Sequence, residues 1–366
     1  MNKTTWDVIV VGSGPGGSVA AKVCAKAGLE TILLEKKALP RDKVCSGMVM
    51  GRWANDLVRE HFGEIPKEVL NAQGHYVGVA VHVGAEAVGE IPAFIPVGWR
   101  KNLDYWMCQK ALEAGAEVKD NARVANIREH EKGYALEVKV GKETETINAR
   151  CIIGADGALS AVRKSVWPEL KVQYKPAYRE CYDASLSIDK GWFRWFFPYG
   201  THSPRFDICF KDQFLLIEGG GIRQIRQPMN RILEGYGFPR DAKPLWRDGC
   251  VNPILYAELF SGTFIPAKKN VLLAGDAAGM LFPFTQEGIG SALRSGVLAG
   301  EAVIEALRTN STAGEHYLRN IQGLKMYLKE LFSLQQAMVD IAKKGPDALA
   351  EAMRQFIEKT VKEAAG

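Results

Sequence analysis

DVIVVGSGPGGSVAAKVCAKAGLETILLEK, residues 7–36, decides how this chain folds. Residues 8–11 are all β-branched and are closed by a glycine, the composition of a strand buried in a parallel sheet. Gly12, Gly14 and Gly17 follow in GxGxxG spacing. Gly12 permits a tight turn off the strand, Gly14 lets a pyrophosphate approach the backbone, and Gly17 lets a helix pack against the strand. Helical spacing runs over residues 19–27 and stops at Gly28. A second apolar strand, residues 31–34, ends in Glu35. A phosphate would sit on unpaired N–H groups at the helix N-terminus, where the dipole favours negative charge. Glu35 stands where a carboxylate accepts ribose hydroxyls. A plain strand–helix–strand turn would leave that acid without a reason. Strand, turn, helix, strand and acid in this order therefore mark a dinucleotide site. It comprises Gly12, Gly14, Pro15, Gly16, Gly17, Glu35 and the adjoining Lys36.

At ~150 residues per domain, the 366-residue chain should form two or three folding units. The net charge of +5 is dispersed rather than gathered into a run, so nucleic-acid binding is not suggested. Seven cysteines are scattered without a CxxC pair, which argues against a disulfide framework or a metal site and for a reducing cytoplasm. No basic segment followed by an apolar run opens the chain, and no run of ~18 apolar residues suits a membrane span.

Outward from the opening unit, a polar loop fills residues 36–48, and helical spacing returns over residues 52–62. Residues 75–83 alternate like a strand and lead through glycine-rich turns to Pro92 and Pro96. Arg100 opens a helix that stops near Gly115 and runs into a strand over 117–125. Residues 134–148 read as an antiparallel hairpin turning at Gly141–Lys142. A buried strand, the pair Asp156–Gly157 and a helix start occupy 149–164. From 166 to 264 short, aromatic-rich strands predict an antiparallel sheet, with a hairpin turning through 211–213. Residues 270–307 predict a buried strand, a loop and a long helix. Amphipathic helices follow over 313–363, broken at Gly345–Pro346. The expected class is α/β (α+β overall): a Rossmann-like dinucleotide-binding domain with an inserted antiparallel-sheet substrate domain and C-terminal helices. The domain bounds expected are 1–70, 97–165 and 265–305 for the first, 71–96 and 166–264 for the second, and 306–366 for the helices.

The choice of FAD over other dinucleotides comes from two further motifs. GADGALSAVR (154–163) and GDAAGMLFP (275–283), with GSGPGG (12–17), resemble the FAD-binding set of the p-hydroxybenzoate-hydroxylase-type flavoproteins. The resemblance implies that Asp276, after Gly275, hydrogen-bonds the ribityl chain. It implies that Asp156 and Gly157, with Arg163, close the site near the pyrophosphate. Arg100 would lie against the FAD, and the backbone at Val124 would flank the adenine. Gly288 and Ile289 would aim helix N–H groups at the flavin N1–C2=O edge, and Pro283 would border the cofactor. An ordinary helix cap is the plain alternative for Asp276.

A finer resemblance is to the geranylgeranyl reductase family. RDKVCSG (41–47) is similar to that family's loop facing the flavin, although Ser46 intervenes before Gly47. FRWFFP (193–198) is similar to its aromatic-x-Trp-x-Phe-Pro motif, with Phe193 in place of tyrosine. PFTQEGIGSALRSG (283–296) is similar to its third stretch, although Thr285–Gln286 replaces commoner small residues. This implies hydrogenation of isolated double bonds in an isoprenoid, a geranylgeranyl-type lipid, diphosphate or quinone tail, with another small apolar molecule as the other substrate class. Reduced FAD would give the hydride, and a second group or water the proton. Lys43, Cys45, Ser46, Gly47 and Met48 would face the flavin. Phe193, Trp195, Phe197 and Phe282 would line an apolar tunnel, with Met280, Leu281 and Phe284 as further candidates; plain core packing is the alternative for all of them. Cys45 is the catalytic candidate, assisting protonation or shaping the pocket, against the plain alternative of a small buried hydrophobe. Arg41 and Lys43 would lower its pKa if close. His75, His82 and His202 read as structural.

No second GxGxxG accompanies the first, so reduction would come from transient NAD(P)H docking or from a ferredoxin- or flavodoxin-type donor. An aromatic monooxygenase of the same fold is the main competing reading. A halogenase is disfavoured because residues 73–99 hold no lysine. An electron-transfer or flavin-storage role leaves the aromatic region after residue 166 unexplained. The C-terminal helices either make a peripheral membrane contact or pack on the FAD domain; their weakly basic polar faces favour packing.

Overall fold

A computed structural model of the chain describes residues 5–198, 205–220 and 222–365. His202 lies outside these residues. β1 (Thr5–Val11) turns into α1 (Pro15–Lys26), and β2 (Thr31–Leu34) returns in parallel beside β1. α2 (Ala54–Phe62) leads to the hairpin of β3 (His75–Val83) and β4 (Glu86–Pro96). After α3 (Arg100–Glu113) come β5 (Glu117–Lys119), β6 (Ala122–His130), β7 (Gly133–Val140) and β8 (Glu143–Gly154). α4 (Ala161–Val166) precedes β9 (Gln173–Tyr182), β10 (Trp192–Phe197), β11 (Phe206–Lys211) and β12 (Phe214–Gly219). Next are α5 (Ile222–Glu234), β13 (Trp246–Ile254) and α6 (Tyr256–Ser261). The pair β14 (Ala267–Lys268) and β15 (Val271–Leu273) and a 3-10 turn (Gly275–Ala278) lead into α7 (Ile289–Thr309). α8 (Ala313–Asn320), α9 (Gln322–Ala342) and α10 (Pro346–Ala365) follow.

Two sheets result. The first has the order β14-β15-β8-β1-β2-β5, with β15, β8, β1, β2 and β5 parallel and β6–β7 hung on β8. Its strands are apolar runs because helices cover them. Ile9, Val10, Leu33 and Ile152 are buried, each stabilising by roughly 1.5–3 kcal/mol. β8 does two jobs: its first half closes the hairpin with β7, and its apolar end joins β1 in parallel.

The second sheet has the order β13-β9-β12-β11-β10-β3-β4. It is antiparallel except at one seam, where β10 runs parallel to β3 from Trp192 opposite Gly78 to Phe197 opposite Val83. The β3–β4 hairpin comes from far earlier in the chain and joins the sheet through this seam.

Three local expectations need correction. The turns expected around Pro92 and Pro96 are the edge strand β4, where proline's missing N–H costs no ladder bond on the open side. The strand expected over 117–125 is two strands, because Asn121 turns the chain at φ 50° and Asp120 is held by the Leu39 N–H at 2.8 Å. The C-terminal helices serve both halves: α9 packs on α6, α7 and α8, whereas α10 packs on β3 and β4. α10 buries Leu349, Ala350, Met353 and Ile357 there, one stripe of helical spacing. Among the described residues no helix is long and apolar enough to cross a membrane.

Candidate active site

A cavity of about 1440 Å³ is lined by residues of both sheets. That exceeds the roughly 300–1,000 Å³ of ordinary small-molecule sites, so it has room for a dinucleotide and a second ligand. One arm is polar, the other apolar.

The polar arm begins at the glycine turn. Gly12 sits at φ 101°, and a Cβ there would stand 2.4 Å from the Ala155 carbonyl oxygen. A Cβ on Gly14 would meet nothing nearer than an Arg41 nitrogen at 3.7 Å. Gly14 therefore borders open cavity, and the side chain it lacks leaves space for a ligand. α1 starts at Pro15 without a side-chain cap, so its first N–H groups are free to take an anion. These features fit the pyrophosphate of a dinucleotide. Gly16 also lines the cavity; Gly17 does not, because it lies against the Gly12 carbonyl.

Glu35 accepts from the Ser13 N–H at 3.1 Å, the Ser13 hydroxyl at 2.8 Å and the Lys37 N–H at 3.1 Å. Arg41 Nε pairs with it at 2.9 Å. Burial opposes the charge, but Arg41 and the Ser13 donors outweigh it and hold this carboxyl below its ordinary range. Arg41 also reaches Asp104 at 3.1 Å. Asp104 in turn holds Arg100 by two bonds, at 2.6 and 2.8 Å. Lys36, Arg100 and Val124 line the same arm.

Asp156 and Gly157 line the cavity beside α4. One Asp156 oxygen accepts from the N–H groups of Ala161 at 2.6 Å and Val162 at 3.2 Å. The other is buried without a partner, and burial raises the pKa. Arg163 departs from expectation. It does not line the cavity but is a buried strut, donating to the carbonyls of Ala277 at 2.8 Å and Ala158 at 2.6 Å.

In the middle of the cavity, Lys43 pairs with Asp276 at 3.2 Å. Ser295 Oγ accepts from the Gly275 N–H at 2.9 Å and pins that turn. Gly288 and Ile289 face the cavity at the start of α7. Glu287, beside them, accepts from the Gly290 N–H. Its burial pushes the carboxyl pKa up to about 8.

Cys45, Ser46 and Met48 line the cavity; Gly47 lies behind them against the Gly98 carbonyl. The Cys45 sulfur accepts from the Gly47 N–H at 3.3 Å, and its carbonyl accepts from Arg179 at 2.7 Å. The cations beside Cys45 are Arg100, Arg179 and Lys211. The expected neighbours Arg41 and Lys43 are instead held by carboxylates.

The apolar arm is walled by Phe193, Phe197, Leu281, Phe284, Met338, Leu349 and Met353. Four expected residues of this arm and its border fall outside the lining, among them Met280, which is buried in the core of the first sheet. Trp195 is capped by Arg205, 4.8 Å from its ring, and by Phe284. Phe282 points into the core and packs edge-on against Trp53 and Tyr327. Pro283 is not on the cavity wall either. The following residues are strained: Phe284 and Gln286 have φ 65° and 60°, a cost of order 1–3 kcal/mol each. Gln335 holds them by accepting the Phe284 N–H at 2.7 Å, and Arg205 by donating to the Phe284 carbonyl at 2.9 Å.

Sequence reasoning missed a charged row on the cavity floor. Arg179 and Asp248 form two hydrogen bonds, at 3.0 and 2.6 Å. Arg205 pairs with Asp207 at 2.9 Å. Glu218 lies between them with one buried oxygen unpartnered, and burial pushes its pKa up to about 7. The available signal was a lone acid in phase with Phe214 and Leu216 on an otherwise apolar strand.

The sequence model of the family described as FAD dependent oxidoreductase matches residues 7–163. Digeranylgeranylglycerophospholipid reductase 3 of Methanosphaera stadtmanae is 24% identical, covering 95% of this chain and 89% of that one. Geranylgeranyl diphosphate reductase of Rhodobacter capsulatus is 28% identical, covering 84% and 77%. The chain is an FAD-dependent oxidoreductase. The fold of this oxidoreductase is shared with a geranylgeranyl bacteriochlorophyll reductase-like protein of Thermoplasma acidophilum. That crystal structure superposes with a TM-score of 0.75 at 19% identity, covering 99% of each chain.

Proposed function

We propose that this oxidoreductase saturates carbon–carbon double bonds of an isoprenoid held in the apolar arm, with FAD in the polar arm. The observation that carries this is the division of one cavity into a nucleotide-shaped polar half and a half walled by Phe193, Phe197, Phe284, Met338 and Met353. The two relatives' names add a prenyl lipid and a prenyl diphosphate as the substrate classes to try first.

Glu35 would hold the ribose, the N–H groups at the start of α1 the pyrophosphate, and Asp276 the ribityl chain. For the last contact Lys43 must yield part of its ion pair with Asp276. Gly288 and Ile289 would face the ring edge. When bound and reduced, FAD supplies a hydride equivalent. The chain's own residues then orient the alkene, keep water away from it and provide a proton. The electron source is a nicotinamide that docks transiently or a ferredoxin- or flavodoxin-type protein.

The test is anaerobic. The FAD of the purified protein is reduced with dithionite and mixed with geranylgeranyl alcohol or diphosphate. Flavin reoxidation without oxygen, with a product heavier by two hydrogens per saturated bond, is expected. A flavin that stays reduced until air enters, and then yields a hydroxylated product, would replace this function with that of a monooxygenase.

A further inference from the structure

We infer that Glu218 is the acid that protonates the alkene carbon opposite the hydride, an assignment that rests on the function just proposed. Its position follows from strand register. Asp248 is opposite Arg179, Arg179 opposite Glu218, and Glu218 opposite Asp207. The four side chains thus form one row across β13, β9, β12 and β11, and all four line the cavity.

Within the row, partners are unequally shared. Asp248 is engaged by Arg179 through two bonds, at 3.0 and 2.6 Å. Asp207 is engaged by Arg205 at 2.9 Å. The third guanidinium nitrogen of Arg179 is spent on the Cys45 carbonyl at 2.7 Å. Glu218 is the acid of the row left without an ion pair among the described residues, and its Oε1 is buried with no partner. A protonated carboxyl in that position can give its proton to a ligand.

The surrounding groups set its titration. Burial disfavours the carboxylate most; Arg179 on β9 and Lys211 on β11 favour it; Asp207 and Asp248 disfavour it further. Cys209, Cys250 and Tyr76 also face it. The result is a pKa of about 7, close to the value at which an acid holds its proton yet releases it readily. Cys45 is less suited. Its sulfur already takes the Gly47 N–H and lies against Arg100, so it shapes the wall.

The step balances. One alkene carbon gains the hydride that reduced FAD supplies. The alkene π pair forms a bond from the other carbon to the proton leaving Glu218. The carboxylate that remains is steadied by Arg179 and Lys211 and regains a proton from water.

The test compares wild type, Glu218→Gln, Glu218→Asp and Cys45→Ser holoenzymes, reduced anaerobically and mixed with geranylgeraniol. Wild-type single-turnover rates should fall about tenfold per pH unit above about 7. Glu218→Gln should be about 100-fold slower or worse, lose that break and still bind FAD. Cys45→Ser should keep the break. Independently of turnover, infrared difference titration should find a protonated-carboxyl C=O band that titrates near neutrality and is missing in Glu218→Gln. A Glu218→Gln enzyme with the wild-type rate and break overturns the assignment and leaves the function standing. A wild type that reduces no isoprenoid alkene removes the function and the acid with it. If Glu218→Gln does not fold, the wild-type band and the Glu218→Asp profile decide: no such band, or an unmoved break, refutes Glu218.

Discussion

Two alanine substitutions, one turn apart on the same helix, should have opposite fates. Gly296 and Gly300 both lie on the face of α7 that packs on α1. A Cβ at Gly296 would stand 2.3 Å from the Gly16 carbonyl oxygen. That is about 1 Å inside ordinary contact, and a backbone atom cannot rotate away. A Cβ at Gly300 would meet Val23, its Cγ1 at 2.9 Å and its Cβ at 3.1 Å. The methyl turns only by leaving valine's preferred helical rotamer, but the intrusion is smaller than at Gly296 and its nearest backbone atom, the Ala20 carbonyl oxygen, stands at 3.4 Å. Each change gains up to ~1 kcal/mol of helix propensity. Gly300→Ala should therefore stay within about 1 kcal/mol of wild type. Gly296→Ala incurs overpacking of up to ~3 kcal/mol, a net loss of about 2 kcal/mol, or roughly 2–3 °C in a chain of this size. It also pushes on Gly16 in the first turn of α1, so FAD affinity should fall about tenfold, equivalent to ~1.4 kcal/mol. Urea unfolding and FAD fluorescence titration of both variants measure these effects. Wild-type stability and affinity in Gly296→Ala, or equal damage in Gly300→Ala, would refute the reasoning.

Glu287 holds a proton in the native state that the unfolded chain releases near its ordinary pKa of 4.5. Stability should therefore fall as pH rises from that value to about 8 and then level, by up to ~5 kcal/mol at ~1.4 kcal/mol per unit. Glu287→Gln should flatten that slope in urea midpoints taken at pH 5 and pH 9; parallel curves would count against it. Glu35 has the opposite sign: its lowered pKa gives stability that is present above the ordinary value and lost as pH falls through the native one. Glu35→Gln should weaken FAD binding about 10–100-fold at neutral pH, the worth of one charged hydrogen bond of ~1.5–3 kcal/mol, and the gap should narrow in acid. Met353→Trp should narrow the apolar arm and cut turnover of a geranylgeranyl substrate at least tenfold more than that of a geranyl one, with FAD titration unchanged; equal losses for both chain lengths would speak against that arm as the substrate's seat.

The nucleotide half was legible because its signals are local. A β-branched run, a glycine turn and a helix lie within residues 5–34, and β1, α1 and β2 follow them closely. β4 was hidden because Pro92 and Pro96 mark turns in a sequence window, and only the completed sheet shows that they sit on an edge. The aromatic motifs named the right stretch but not which rings face the cavity. Phe193 and Phe197 do, whereas Trp195 is covered by Arg205, the residue just before the neighbouring strand β11. The row of Arg179, Glu218, Asp207 and Asp248 was invisible for a related reason: the β11–β12 hairpin sets Asp207 opposite Glu218, but the row is completed by the register of β9 and β13, strands remote from that hairpin in sequence. No spacing rule encodes that.

The seating of the glycine turn against α7 also bears on how the protein acquires its flavin. Cys24 on α1 and Gly300 on α7 touch at 3.9 Å across a sequence separation of 276 residues. Such long-range closure is slow and comes late in folding. A nascent chain would expose the complete glycine motif from its first moments, yet the scaffold that orients it would be missing until α7 emerges. Partly synthesised chains should therefore hold FAD poorly, and capture of the flavin becomes a late event that reports a nearly finished molecule.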